Sequence, residues 1–271
     1  ATLLFYQKRY ESFSDGLKSY LDKTFSKVIL YDIGFAHTHT DFATKRYFRE
    51  LLGNCNEFER IYCGCPHYSF GYYLALSNTP FVFCEDAAGI LTRPEIIIDL
   101  NKNHKDREYA HKKYLDYGLY DATNKNITHY FCNLKVQADF KNLDTERIID
   151  FDVVEALANL PAEERNEIIS VFIGNQGISC EKDAVLLLTQ YFSGHEILSF
   201  EEQVLIYQLV VDYFFPDKKI VFKPHPDDVL YYKKLFPKSD VIRTMFPSEF
   251  IPFLFAPKPQ TVATVSSTAI Y

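Results

Sequence analysis

The sequence has no surplus of positive charge: 29 Lys and Arg stand against 36 Asp and Glu, for a net charge of −7. A protein that grips a nucleic-acid backbone needs a basic face, so nucleic acid is not an expected partner. A local basic pocket for one phosphate remains compatible with this balance. Long apolar runs are also missing. The longest candidate, Val204 to Phe215, is interrupted by Gln208 and Asp212 and falls short of the ~20 residues of a membrane span. The beginning carries no signal-peptide pattern, and there is no internal repeat or low-complexity segment. Peripheral contact with the inner face of a membrane stays open, and oligomeric state is not legible. Cys55, Cys63, Cys65, Cys84, Cys132 and Cys180 are scattered. Cys63-Gly64-Cys65 is too tight for a zinc knuckle, and no Cys/His partner pair sits at ligand spacing. These read as reduced thiols of a cytoplasmic protein. His37-Thr38-His39 reads as a polar loop pair, so no metal site is expected.

What is present points to a large core. Of 271 residues, 47% are hydrophobic and 16% aromatic, enough for one big domain or two smaller ones. Short apolar runs alternate with amphipathic stretches. Strands are expected at 2–6, 27–33, 60–65 and 80–86, with helices at 12–24, 41–52 and 68–77 between them. The runs are apolar on both faces, which argues for a parallel sheet covered by helices. Residues 105–120 read as helix, 129–134 as strand, and 153–174 as helix with a boundary at Pro161. The polar run "GNQGISCEKD" (174–183) reads as an interdomain linker. The rhythm then restarts, with strands at 184–190, 219–226, 240–245 and 260–265. Helices are expected at 199–214, 229–236 and 247–255. Ser199 and Glu202 spell a capping box for the first of these. The expectation is α/β: two Rossmann-like domains in series, 1–174 and 184–271, with parallel sheets facing across a cleft. The sequence opens directly in the strand-like "TLLFY" and stops at "SSTAIY", where a helix is beginning. It therefore reads as a fragment lacking a C-terminal part.

Ligands of open parallel sheets bind beyond the carboxyl ends of the strands. Lys223-Pro224-His225-Pro226 ends one strand. Each proline pushes its predecessor away from helical angles, so Lys223 and His225 are kept extended at the strand lip. A histidine there can protonate a leaving oxygen or hold a phosphate, or it can cap a turn. Ser266-Ser267-Thr268 ends another strand, where hydroxyls at a helix start form a phosphate site or an ordinary cap. Glu85-Asp86 ends a third, before Ala87-Ala88-Gly89, where one carboxylate can serve as a general base or as a cap. His195 and Glu196, after the strand at 184–190, are further candidates for contact with donor or acceptor. Asp150-Phe151-Asp152 imitates a metal-binding Asp-x-Asp but precedes a helical stretch, where negative charge suits the helix N-terminus.

"KPHP" followed some forty residues on by "SST", with "CEDAAG" upstream of both, resembles the HP, Ser/Ser-Thr and acidic motifs of bacterial sialyltransferases and polysialyltransferases. The spacing of two alanines between Asp86 and Gly89 departs from that family's acidic motif. The resemblance implies a GT-B fold and an inverting, metal-independent glycosyltransferase. It implies transfer of sialic acid or a related sugar from a CMP-activated donor, with no other cofactor, to a surface glycan such as capsule or lipooligosaccharide. By this resemblance Asp86 or Glu85 is the base, His225 stabilises or protonates the departing phosphate, and Ser266 and Ser267 bind it, with Thr268 beside them. Lys223 is placed as a nearby charge on the same anion. The same "KPHP" and serine pairing also resembles Kdo transferases and polyol-phosphate transferases, and a catalytically inactive nucleotide- or glycan-binding module is a third reading.

Overall fold

Parallel strands form where the apolar runs fall. In the computed structural model, the residues described are 1–85, 91, 108–136, 144–174, 178–194 and 196–265. By internal packing the chain divides into two units, Ala1–Val153 and Val154–Tyr271.

In the first unit, β1 (Thr2–Tyr6) pairs with β2 (Lys27–Tyr31). A second sheet runs in the order β3 (Tyr62–Gly64), β4 (Phe81–Cys84), β5 (Ile127–Cys132) and β6 (Ile148–Asp150). All these pairings are parallel, so each connection must cross over, and helices supply the crossovers. They include α1 (Gln7–Glu11), α2 (Asp15–Thr24), α3 (Phe35–Thr38), α4 (Asp41–Leu52), α5 (Ser69–Leu76) and α6 (Glu108–Asp116). The single helix expected at 12–24 starts at Asp15 because the Ser14 side chain caps it, accepting from Leu17 N. α5 is the buried crossover: Tyr72, Leu74 and Ala75 join Phe48, Phe81 and Ile127 in one core. Strand β6 was not foreseen, since Ile148-Ile149 is too short an apolar run to stand out.

In the second unit the sheet order is β10 (Thr261–Thr264), β7 (Val185–Leu188), β8 (Ile220–Lys223), β9 (Asp240–Val241), again all parallel. Side chains alternate across a strand, and both faces here are buried. Leu186, Leu188 and Val221 pack on one side with Phe246, Phe250 and Leu254. Val185, Leu187, Ile220 and Phe222 pack on the other with Tyr207, Tyr232 and Phe236. This explains the uninterrupted apolar runs of β7 and β8.

The division falls about twenty residues before the expected linker. Helices α7 (Val153–Asn159) and α8 (Ala162–Ile173) bury Leu157 and Ile169 in the same cluster as Ala184, Leu186 and Val221. An apolar helix face goes with the core that covers it, so these helices belong to the second unit and not to the first. The helix expected over 199–214 forms as α9 (Phe200–Leu209), continuing into a π turn at Val210–Phe214. Its capping box is complete, with Glu202 N donating to Ser199 Oγ (3.2 Å) and Ser199 N to Glu202 Oε2 (2.8 Å). These bonds from Ser199 hold the Glu202 carboxyl below its usual range. The helix expected over 229–236 shrinks to α10 (Tyr232–Leu235). The region of 247–255 becomes a 3-10 turn, Ser248–Phe250, running into α11 (Ile251–Leu254). Among the described residues no helix is long and apolar enough to cross a membrane.

Candidate active site

His225 sits just beyond β8, in a turn closed by Asp228 N donating to His225 O at 3.0 Å. Pro226 occupies the second position of that turn, where its fixed φ is favourable. The His225 N–H donates to Thr189 Oγ1 (3.3 Å), so the turn is pinned to the end of β7. Asp227 N donates to His225 Nδ1 (3.2 Å). A ring nitrogen that accepts carries no proton, so the neutral imidazole holds its proton on Nε2. The Asp227 Oδ2 atom lies 3.9 Å from the same Nδ1, within reach if the ring takes up a second proton. Beside the turn opens a cavity of about 360 Å3, lined in part by Pro224, His225, Pro226, Tyr231, Arg243 and Thr244.

Lys223 ends β8. It extends to the Val221 face of β8, with Nζ 4.8 Å from the centroid of the Phe246 ring. Burial holds its ammonium below the usual range, and the nearby Glu249 charge opposes that shift. Ser266, Ser267 and Thr268 lie outside the described residues. Their strand is placed: Thr264 of β10 pairs with Leu188, which pairs with Lys223. His195 is also outside the described residues. Glu196 is exposed, with a φ of 56°, in the turn closed by Ile197 N to Phe192 O at 3.0 Å.

In the first unit, Glu85 follows β4 and its N–H donates to Phe131 O (2.9 Å). Asp86 and Gly89 are outside the described residues. Burial first, and then the Glu85 and Asp150 charges, push the neighbouring Cys132 thiol up to about 12. Asp150 and Asp152 are engaged locally: Asp150 Oδ1 accepts from Leu134 N (2.9 Å) and Asp152 Oδ2 pairs with Lys135 Nζ (3.0 Å). Among the described residues no three His, Cys, Asp or Glu side chains group as metal ligands.

His67 went unnoticed in the sequence. It lies just past the carboxyl end of β3, nearly buried, with ring centroids 4.6 Å from Tyr68 and 5.9 Å from Tyr120. The usable signal was Pro66-His67 after a strand, the same Pro-His order as at 224–225. Gly71 makes room for that loop, since a Cβ there would collide with the Pro66 backbone. Gln203, Tyr207 and Tyr232 were likewise missed, because nothing local marks them as neighbours of His225.

The two parallel α/β units correspond to a GT-B-like fold. The chain resembles the solved glycotransferase of kitacinnamycin at a TM-score of 0.52 and 10% identity, covering 98% of this chain and 68% of that one. It resembles the UDP-GlcNAc 2-epimerase of Methanocaldococcus jannaschii, solved with UDP-GlcNAc and UDP, at a TM-score of 0.50 and 12% identity, covering 99% and 79%. Residues 4–271 match the Alpha-2,8-polysialyltransferase (POLYST) family, and the chain belongs to that family of glycosyltransferases. A Haemophilus influenzae (strain Rd) protein described as uncharacterized is 31% identical over 115 residues, which is 40% of this chain and 36% of the length of that relative.

Proposed function

We propose that the protein is an inverting, metal-independent sialyltransferase that moves sialic acid from a CMP-activated donor to a surface glycan. The family match supports the sialyl class. The observation that carries the donor reading is the position of His225 at the end of β8, with its neutral ring proton on Nε2 and a cavity beside it. The nucleoside occupies that cavity and the Nε2 proton faces the phosphate. Ser266 and Ser267, two and three residues past Thr264 in the sequence, are assigned as further donors to that phosphate by the resemblance of their motif. By the resemblance of the acidic motif, Asp86 or Glu85 takes the proton of the acceptor hydroxyl. The hydroxyl oxygen bonds to the anomeric carbon, the bond from that carbon to the phosphate oxygen breaks, and its electron pair leaves with CMP. Preorganised donors stabilise that single phosphate without a metal.

CMP is expected to raise the unfolding midpoint. At 100 times its dissociation constant it should add ~2.7 kcal/mol of stability. Thermal shift with CMP, CMP-sialic acid, CMP-Kdo and CDP-glycerol tests the donor. A shift with CDP-glycerol and none with CMP would overturn the reading and favour polyol-phosphate transfer. Binding of CMP with no transfer to any glycan of an acceptor panel would point to an inactive binding module. Transfer should survive exhaustive treatment with a chelator. Loss of activity restored by magnesium or manganese would contradict metal independence.

A further inference from the structure

We propose that Asp228, acting through Thr189, is the positioning residue that sets the His225 imidazole; the proposal rests on the donor-site reading above. The Asp228 carboxylate accepts from four donors. Oδ2 takes the Thr189 hydroxyl (2.9 Å) and the Tyr232 hydroxyl (2.5 Å), while Oδ1 takes Gln203 Nε2 (3.3 Å) and Leu230 N (3.0 Å). Thr189, Gln203 and Tyr232 are buried, at 3%, 0% and 1% exposure. Buried polar groups are costly unless paired. Here the end of β7, helix α9 and helix α10 each contribute one, and all three meet on a single carboxylate.

The Thr189 hydroxyl has one proton. Because that proton goes to Asp228, the lone pairs of Oγ1 remain available, and one accepts the His225 N–H at 3.3 Å. Asp228 thus sets the polarity of the group that holds the His225 backbone. Its own N–H closes the turn on His225 O, and Asp227 N, inside that turn, fixes the ring through Nδ1. Gln203 extends the frame, donating to Gln190 O (3.1 Å) and accepting from Ser193 N (2.7 Å). The Tyr207 hydroxyl accepts from Gln190 N (2.7 Å).

The test uses Thr189→Val, which keeps the shape and removes the hydroxyl, and Thr189→Ser, which restores it. Asp228→Asn, which turns one accepting oxygen into a donor, gives a second route should the valine variant fold poorly. Turnover of CMP-sialic acid per folded molecule is expected to fall about 10–100-fold in Thr189→Val and in Asp228→Asn, the scale of a small misplacement. The acceptor KM should be unchanged, and Thr189→Ser should recover the rate. Added to His225→Ala, Thr189→Val should cost nothing more, since both act through one ring. Side-chain 15N NMR provides a readout independent of turnover, with the His225 signal assigned by its loss in His225→Ala. The wild type should display the Nε2–H form, and the valine variant a mixture of forms. Unchanged turnover with an unchanged His225 signal, or an additive loss in the double variant, would overturn the proposal. Full turnover in His225→Ala itself would instead remove the donor-site reading, and the NMR comparison would still decide whether Thr189 and Asp228 position the ring.

Discussion

His225→Ala is expected to lower turnover per folded molecule by about 10²–10⁴-fold, the range for a positioned proton donor. The imidazole is held at its backbone by Thr189 and at its ring by Asp227 N. A group fixed in this way pays little orientation cost when it meets the phosphate. Acceptor binding should change little, because the ring acts on the donor. Pro226→Ala should also reduce turnover, but less, since it only frees His225 toward helical angles while the Thr189 and Asp228 bonds remain. A turn-capping role makes another forecast: at most ~1–2 kcal/mol of lost stability and an unchanged rate once folded. Initial rates corrected for the folded fraction, set beside the unfolding midpoint, separate the two. A stable His225→Ala variant with undiminished turnover would take His225 out of the mechanism.

Phe222→Ala is expected to cost ~3–5 kcal/mol, the range for deleting a fully buried ring. Phe222 is 0% exposed, with ring centroids 4.6 Å from Tyr232, 4.9 Å from Phe236 and 6.4 Å from Tyr207. Such close packing leaves the neighbours little freedom to collapse into the gap. Tyr207 and Tyr232 are also the residues whose hydroxyls reach Gln190 and Asp228. The cavity would therefore open beneath the polar frame of His225. Denaturant unfolding should show a lower midpoint with an unchanged slope. A loss below ~1 kcal/mol would contradict the close packing described, because a site able to refill itself is the one case that escapes the cavity penalty.

Strand and helix positions were legible wherever the cause was local. The apolar runs of β4, β7 and β8 are buried on both sides, as their lack of alternation implies. Ser199 and Glu202 start α9 through bonds spanning three residues. The stretch 229–236 has helical spacing, yet its first turn is spent elsewhere. Leu230 N goes to Asp228 Oδ1, and Val229 and Tyr231 stay exposed. The linker was misplaced for a similar reason. Polar residues and glycines at 174–183 look like a boundary, but α7 and α8 follow the core that covers Leu157 and Ile169.

By itself the sequence determined the parallel α/β class, the restart of the strand–helix rhythm after the middle of the chain, and the place of His225 at a strand end. Each follows from apolar period, capping or proline sterics, which act within a few residues. Only the tertiary structure decided which groups surround that histidine. Thr189, Gln203 and Tyr232 come from separate elements and converge on the Asp228 carboxylate, with Tyr232 packed against Phe222 and Tyr207. It also decided that Lys223 turns to Phe246, because strand alternation sends its side chain to the face of β8 that carries Val221.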